Sequence, residues 1–531
     1  MADIIKQTKE QERAELHKSI WRIAEDLRGM VDGWDFKIYV LGTLFYRYIS
    51  ENIARYIDDL QVRAGVVEFC FANLDDNKAE RVRQKCVDEK GYYIKPSELF
   101  CNVLATVDLD ENLNTTLQSI FAGIEGSSKG SHSENNFKGL FNDLDTNSNK
   151  LGSTTPERCK YLAKLLQGIA SIKFEYNGNS EIDAFGDAYE YLMAMYASGA
   201  GKSGGEYFTP QEVSELLARI SIGDKTSIDN AYDPACGSAG LLLQIAKILK
   251  YRNVGHFFGQ EKNITTYNLS RINMFLHGVE PDRFDFAHGD TLINPALAPK
   301  DPNKEYEVIV SNPPYSVKWA GDSNLELLDD ERFKAAGVLA PKSKGDMAFV
   351  MHCLHWLAPH GKAAIVCFPG IMYRGGAEQK IRKYLIDNDR IEAIIQMPDN
   401  LFFGTSIATC IMVLSKGKCN DRRSRTLFID ASKFYVKSTN SNKLSDDSIA
   451  DIYKLFADAL DVPHIAKLIE NSKIVEQDYN LSVSTYVEQE DMREVVDITA
   501  LNAEIAGIVA NVNRLRCSID NIIAEIEGTT K

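Results

Sequence analysis

YDPACGSAG, Tyr232 to Gly240, has the pattern of a strand that turns through glycines into a helix. A short apolar approach ends in the carboxylate of Asp233, the chain turns through Gly237 and Gly240, and an apolar helical segment runs from Leu241 to Tyr251. Glycines let a ligand come close to the backbone. A strand, a turn and a helix in that order place such a ligand at the carboxyl end of a parallel sheet. The loop lacks the full G-x-G-x-x-G dinucleotide pattern, and Gly201-Lys202-Ser203 has Tyr196 where a P-loop has its first glycine, so ATP hydrolysis is not expected.

Downstream, the apolar runs HFFGQ, FDFAHGD, EVIVSN, AAIVCFP, IEAIIQMP and ATCIMVL recur with helix-length segments between several of them. The alternation predicts an α/β sheet, and near-continuous runs such as Ala363 to Phe368 predict strands covered on both faces. Upstream, Leu16, Ile20, Ile23 and Leu27 recur at helical spacing and a second apolar stretch covers Tyr39 to Ile49. GSSKGSHSENN from Gly126 reads as an exposed loop. The boundaries that follow are a mostly helical domain over 1–165, a catalytic α/β domain over 166–445 and a helical region over 446–531. In the last, Leu501, Ile505, Ile508, Val512, Leu515, Ile519, Ile522 and Ile526 alternate steps of four and three, a heptad seam over 498–526 suited to a coiled coil or to docking on other helices.

The 531-residue length suits several domains, and 44% hydrophobic with 25% charged residues excludes wholesale disorder. No apolar run reaches the roughly 18 residues of a membrane span. The charged N-terminus lacks a secretory apolar core, so a cytoplasmic location is expected. Ten cysteines without a CxxC pair read as buried thiols, and His352, His355 and His360 lack the companions of a zinc site, so no metal is expected. A formal charge of -15 opposes DNA binding by the chain alone and favours a partner that supplies positive field.

Two further acidic strand ends follow Asp233. HFFGQE ends at Glu261, which can accept from two ribose hydroxyls, and FDFAHGD ends at Asp290, which can accept from an adenine amine. Next comes SNPPY, Ser311 to Tyr315, directly after the strand Glu307 to Val310. Its prolines fix a rigid turn. The Asn312 side-chain oxygen and the Pro313 carbonyl can then face one amino group while Tyr315 offers a ring for stacking, a device for holding a planar NH2.

DPACGSAG followed by SNPPY resembles the cofactor and catalytic motifs of S-adenosylmethionine-dependent DNA N6-adenine methyltransferases. GGEYFTPQEV, Gly204 to Val213, precedes the glycine loop and resembles the first cofactor-contacting motif of that group's gamma arrangement; Thr209, Pro210 and Glu212 also read as a helix capping box. The segments from Gln11 to Glu51, NLFFGTSIATCIMVL and DYNLSVSTYV extend the likeness to nearly the whole chain, which looks like the modification subunit of type I restriction-modification systems, HsdM.

The resemblance implies a Rossmann-like methyltransferase domain flanked by an N-terminal helical domain and a C-terminal helical region. It implies S-adenosyl-L-methionine as cofactor, with Glu206, Tyr207, Phe208, Thr209, Pro210, Gln211, Asp233, Gly237, Ser238, Ala239, Gly240, Glu261 and Asp290 around it. It implies that Asn312, Pro313, Pro314 and Tyr315 form the catalytic loop. It implies duplex DNA with a flipped adenine as substrate, a specificity subunit bound by two copies of this chain, and a restriction subunit in the full complex. Tyr315 stands where many such subunits carry Phe; either ring stacks. Two other readings are a protein glutamine N5-methyltransferase, which shares an NPPY motif, and a catalytically silent scaffold.

Overall fold

The computed structural model describes residues 14–22, 33–66, 68–172, 184–199, 209–299, 305–321, 324–402, 406–438, 441–489 and 498–528. Glu206, Tyr207 and Phe208, the Gly201-Lys202-Ser203 run, and Ile23 and Leu27 lie outside the described residues. The chain divides into two units, Met1–Val487 and Glu488–Lys531.

A nine-stranded sheet organises the first unit. Its strands are β1 (Ile228–Asp233), β2 (Val254–Glu261), β3 (Phe284–His288), β4 (Tyr306–Ser311), β5 (Leu357–Cys367), β6 (Ile391–Gln396), β7 (Cys410–Ser415), β8 (Arg425–Asp430) and, after the short hairpin β9 (Val436–Lys437) and β10 (Asn442–Lys443), β11 (Ala466–Glu470). The order is β11-β8-β6-β7-β5-β4-β1-β2-β3, parallel except where β7 and β11 run antiparallel to their neighbours. Every apolar run singled out in the sequence is a strand. β5 through Ala363 to Cys367, β6 and β7 are almost wholly buried, because helices cover both faces.

The parallel order puts the carboxyl ends of β1, β2, β3 and β4 along one edge of the sheet. Asp233, Glu261, the residues after His288 and Ser311 therefore share one rim, with β1 and β4 adjacent at its centre. That adjacency places the glycine loop beside SNPPY although 71 residues separate them, from Gly240 to Ser311.

Two sequence readings are corrected. The stretch from Gly126 is exposed only in part: Gly126, Lys129, Gly130, His132 and Asn135 face solvent, but Ser128 and Ser133 are fully buried and Asn136 is 3% exposed. Ser133 donates to the Gly91 carbonyl at 2.5 Å, and Asn136 donates to the carbonyls of Pro281 and Phe284 beside β3. Its polar side chains are spent on backbone acceptors at the joint between the N-terminal helices and the sheet, where burial is possible once every hydrogen bond is made. Second, the stretch beyond Lys443 is not purely helical, since β11 completes the sheet edge against β8. A five-residue edge strand with Lys467 and Glu470 facing solvent carries too little periodicity to be read locally.

The Arg271 guanidinium closes the same joint. It is 1% exposed, stacks over Tyr267, and donates to the carbonyls of Asn135, Asn136 and Lys138 at 3.0, 3.2 and 3.0 Å. One cation from the helix Ile264–Leu276 thus satisfies three carbonyls of the N-terminal segment.

In the second unit, Ile498–Ile526 forms one 29-residue helix with no buried residue. Leu501, Ile505, Ile508, Val512, Leu515, Ile519, Ile522 and Ile526 are all exposed along it. No helix among the described residues is long and apolar enough to cross a membrane.

Candidate active site

β1 delivers Asp233 fully buried, and its carboxylate organises the turn instead of facing a cavity. The Asp233 Oδ1 accepts from the Ala235 amide and from the Ser311 hydroxyl, both at 3.0 Å. One acid thereby ties the glycine loop to the first residue of SNPPY. Burial pushes this carboxyl up to about 7, against the two hydrogen bonds that lower it and with the charge of Glu261 adding to the rise.

After Asp233 the backbone turns through left-handed conformations at Gly237 (φ 54°) and Ala239 (φ 67°). The loop is pinned from outside. The Cys236 amide donates to the Gln260 carbonyl at 3.0 Å, the Gly237 amide donates to Glu261 Oε2 at 3.1 Å, and Asn273 Nδ2 donates to the Ser238 carbonyl at 2.8 Å. Glu261 also accepts from the Asn263 amide at 2.8 Å; burial raises its carboxyl while these backbone bonds oppose the rise. Asp290, one strand further, accepts from Lys262 and from the Leu292 amide. Cys236 is buried, and burial pushes its thiol well above the usual range.

β4 ends in Ser311, and Asn312 follows with both ends of its amide engaged. Its Nδ2 donates to Thr209 Oγ1 at 3.0 Å, and its Oδ1 accepts from the Tyr315 hydroxyl at 2.7 Å. Tyr315 is half-buried, edge-on to Phe402 at 6.5 Å between ring centroids. The loop exit is held by Asp346, whose two carboxylate oxygens each accept from the Ser316 amide at 3.1 Å.

The Thr209 contact corrects the capping-box reading. The helix Gln211–Ile222 has Pro210 as its N-cap, which offers no side-chain acceptor, and the Thr209 hydroxyl oxygen, one residue earlier, accepts from Asn312 Nδ2. It serves the site rather than the helix start.

A cavity brings Thr209, Gln211, Gly237, Ser238, Gly240 and Asn312 together. Pro210 lines an adjoining cavity that shares Gln211. Further residues wall the first cavity and were not singled out from the sequence, Glu190, Gln244 and Asn273 among them. Glu190 is 8% exposed, on the helix Ala184–Gly199. Burial works against its charge, but His277 and Lys247, at 3.2 and 2.8 Å, carry the carboxyl down to about 2. Gln211 donates to its other oxygen. For Asn273 a signal existed, since Asn268, Ser270, Arg271 and Asn273 interrupt an apolar helix; for Glu190 there was none.

The N-6 DNA methylase family model matches residues 180–495, which contain this whole site, and the HsdM N-terminal domain model matches 16–169. The chain belongs to the N-6 DNA methylase family. This methylase is 46% identical, over 97% of both chains, to the type I restriction enzyme MpnII methylase subunit of Mycoplasma pneumoniae. It is 30% identical to the MjaVII methylase subunit of Methanocaldococcus jannaschii, over 66% of this chain and 60% of that one. A crystal structure of the type I restriction-modification methyltransferase subunit from Streptococcus thermophilus superposes with a TM-score of 0.80 at 32% identity, covering 90% of this chain and 100% of that one. The methylase is therefore a modification subunit of the type I restriction-modification class, with the activity of an adenine-specific DNA methyltransferase.

Proposed function

We propose that this subunit transfers a methyl group from S-adenosyl-L-methionine to N6 of an adenine flipped out of duplex DNA, within a complex whose specificity subunit reads the sequence. Two copies of the chain serve each specificity subunit, a restriction subunit joins the full assembly, and the complex works in the cytoplasm. The observation that carries the reading is Asn312, bonded to Thr209 on the wall that also holds Gly237, Ser238 and Gly240.

The residues suit the cofactor. A bare left-handed backbone at Gly237, the carboxylates of Glu261 and Asp290 on consecutive strand ends, and an unpartnered buried oxygen on Asn273 are complementary to a nucleoside with a cationic arm. Glu206, Tyr207 and Phe208 complete its surroundings by family likeness; Asp233 and Ala239 shape the loop.

When bound, the cofactor supplies a methyl group on a positively charged sulfur, which needs no nucleophile from the protein. The chain has to align the amine. Asn312 Oδ1 and the Pro313 carbonyl accept from the two N6 hydrogens, direct the lone pair and stabilise positive charge as it grows on nitrogen. Pro314 stiffens the turn, and the Tyr315 ring offsets part of the few kcal/mol that unstacking an adenine costs.

Labelled methyl transfer to duplex DNA tests the reading, with this chain alone and with its specificity subunit. Label on adenine N6 only with the partner, lost in Asn312→Ala, is expected. Label that persists in Asn312→Ala contradicts the assignment of that residue, and label on protein instead of DNA contradicts the function.

A further inference from the structure

Asn273 presents an orphan acceptor on the wall of the active-site cavity. Its side chain is 2% exposed, and its Nδ2 donates to the Ser238 carbonyl at 2.8 Å. A backbone carbonyl only accepts, so this bond fixes which end of the amide faces the glycine loop. The other end, Oδ1, is buried and has no hydrogen-bond partner among the described residues. Leaving such an acceptor unpaired is costly, so a buried group of this kind calls for an explanation, and on the wall of a binding cavity a ligand donor supplies one.

The position on the rim narrows what the donor is. Asn312, on the wall of the same cavity, is the residue assigned to the amine that receives the methyl group. Glu261 and Asp290, on the next two strand ends, are the acceptors for ribose and adenine in the function proposed above. Among the donors of S-adenosylmethionine, only the α-ammonium of its amino-acid arm is then unassigned. Glu190 lines the same cavity; its oxygens accept from Gln211 and Lys247 and lie beside His277, so it adds negative charge next to the arm, whereas the Asn273 oxygen is the acceptor left wholly unpaired.

We propose that Asn273 Oδ1 accepts a hydrogen bond from the α-ammonium of the cofactor, making Asn273 a cofactor-binding residue that reads the amino-acid arm. The inference rests on the methyltransferase reading and adds a specificity element to it. The bond to Ser238 has a second effect, because the side chain that meets the arm also holds the glycine loop, so loop geometry and arm recognition are coupled through one amide.

The test is binding rather than turnover. Calorimetric titration of the full chain compares S-adenosylhomocysteine, its analogue lacking the amino group, and 5′-methylthioadenosine, which lacks the whole arm. Wild type is expected to bind S-adenosylhomocysteine about 10- to 100-fold more tightly than the des-amino analogue, as a hydrogen bond to a charged group commands. In Asn273→Leu that preference should shrink to a few-fold; loss of the bond to Ser238 weakens 5′-methylthioadenosine as well, so the quantity read is the ratio of the S-adenosylhomocysteine and des-amino affinities within each variant. Asn273→Ser, smaller and polar, is expected to do the same and stands in for Asn273→Leu should that variant not fold. Undiminished preference for the amino group in a variant that still binds 5′-methylthioadenosine overturns the role of Asn273 and leaves the methyltransferase reading intact. Failure of the wild-type chain to bind any of the three compounds overturns that reading, and this inference with it.

Discussion

The Tyr315 hydroxyl donates to the Asn312 side-chain oxygen at 2.7 Å, so the atom assigned to the target amine is already satisfied before DNA arrives. In the sequence, Tyr for Phe at this position looked neutral, since both rings stack. The structure gives the hydroxyl a partner, and the entering amine must share or displace it.

Tyr315→Phe removes the competitor and keeps the ring. A neutral hydrogen bond is worth about 0.5–1.5 kcal/mol. The expected result is therefore a kcat/KM for DNA in the assembled complex equal to wild type or up to about tenfold higher. A drop of more than tenfold would assign the hydroxyl a role in the transition state instead. Asn312→Ala is expected to lose at least about 100-fold in kcat, the scale on which removal of a charge-stabilising contact acts.

Asp233 makes stability depend on pH. Its carboxyl lies near 7 in the folded chain against 3.8 for the free group, so the neutral form is the one folding favours. The stability this confers is fully present below about 3.8 and is lost as pH rises through about 7. Denaturant unfolding of wild type and Asp233→Asn across that range should show wild type falling relative to the variant, by at most about 1.4 kcal/mol per pH unit, and then levelling off. A pH-independent difference would show that Asp233 stays ionised throughout.

Arg271→Leu should destabilise the first unit on the order of 3–5 kcal/mol, because the carbonyls of Asn135, Asn136 and Lys138 lose their shared donor inside the joint. Chemical denaturation measures this directly. A loss below about 1 kcal/mol would mean that water takes over the three acceptors.

The helix Ile498–Ile526 should matter to assembly and not to the cofactor site. Paired substitutions Ile508→Glu and Leu515→Glu break its exposed seam. Co-purification with the specificity subunit is expected to be lost while S-adenosylhomocysteine binding stays unchanged. Intact assembly in the double variant would exclude the seam as the docking face.

Local sequence carried the α/β class, the rim of acidic strand ends and the two motif loops, because strand burial and tight turns each leave a signature within a dozen residues. YDPACGSAG and SNPPY could be read as chemistry for the same reason: the residues that shape each loop are neighbours in the chain. Contacts that join distant segments left no such trace. The Thr209 hydroxyl looked like a helix cap until Asn312 was seen to donate to it, 103 residues away. Asn136 looked like loop until the carbonyls beside β3 claimed it. Glu190 is an ordinary acid on a helix until folding sets it between Lys247, His277 and Gln211. Sequence by itself determined which segments become strands and loops, since that follows from hydrophobic period and backbone freedom within each segment. Only the tertiary structure decided what each polar side chain does, because a buried donor or acceptor is settled by the partner that the packing of the whole chain brings to it.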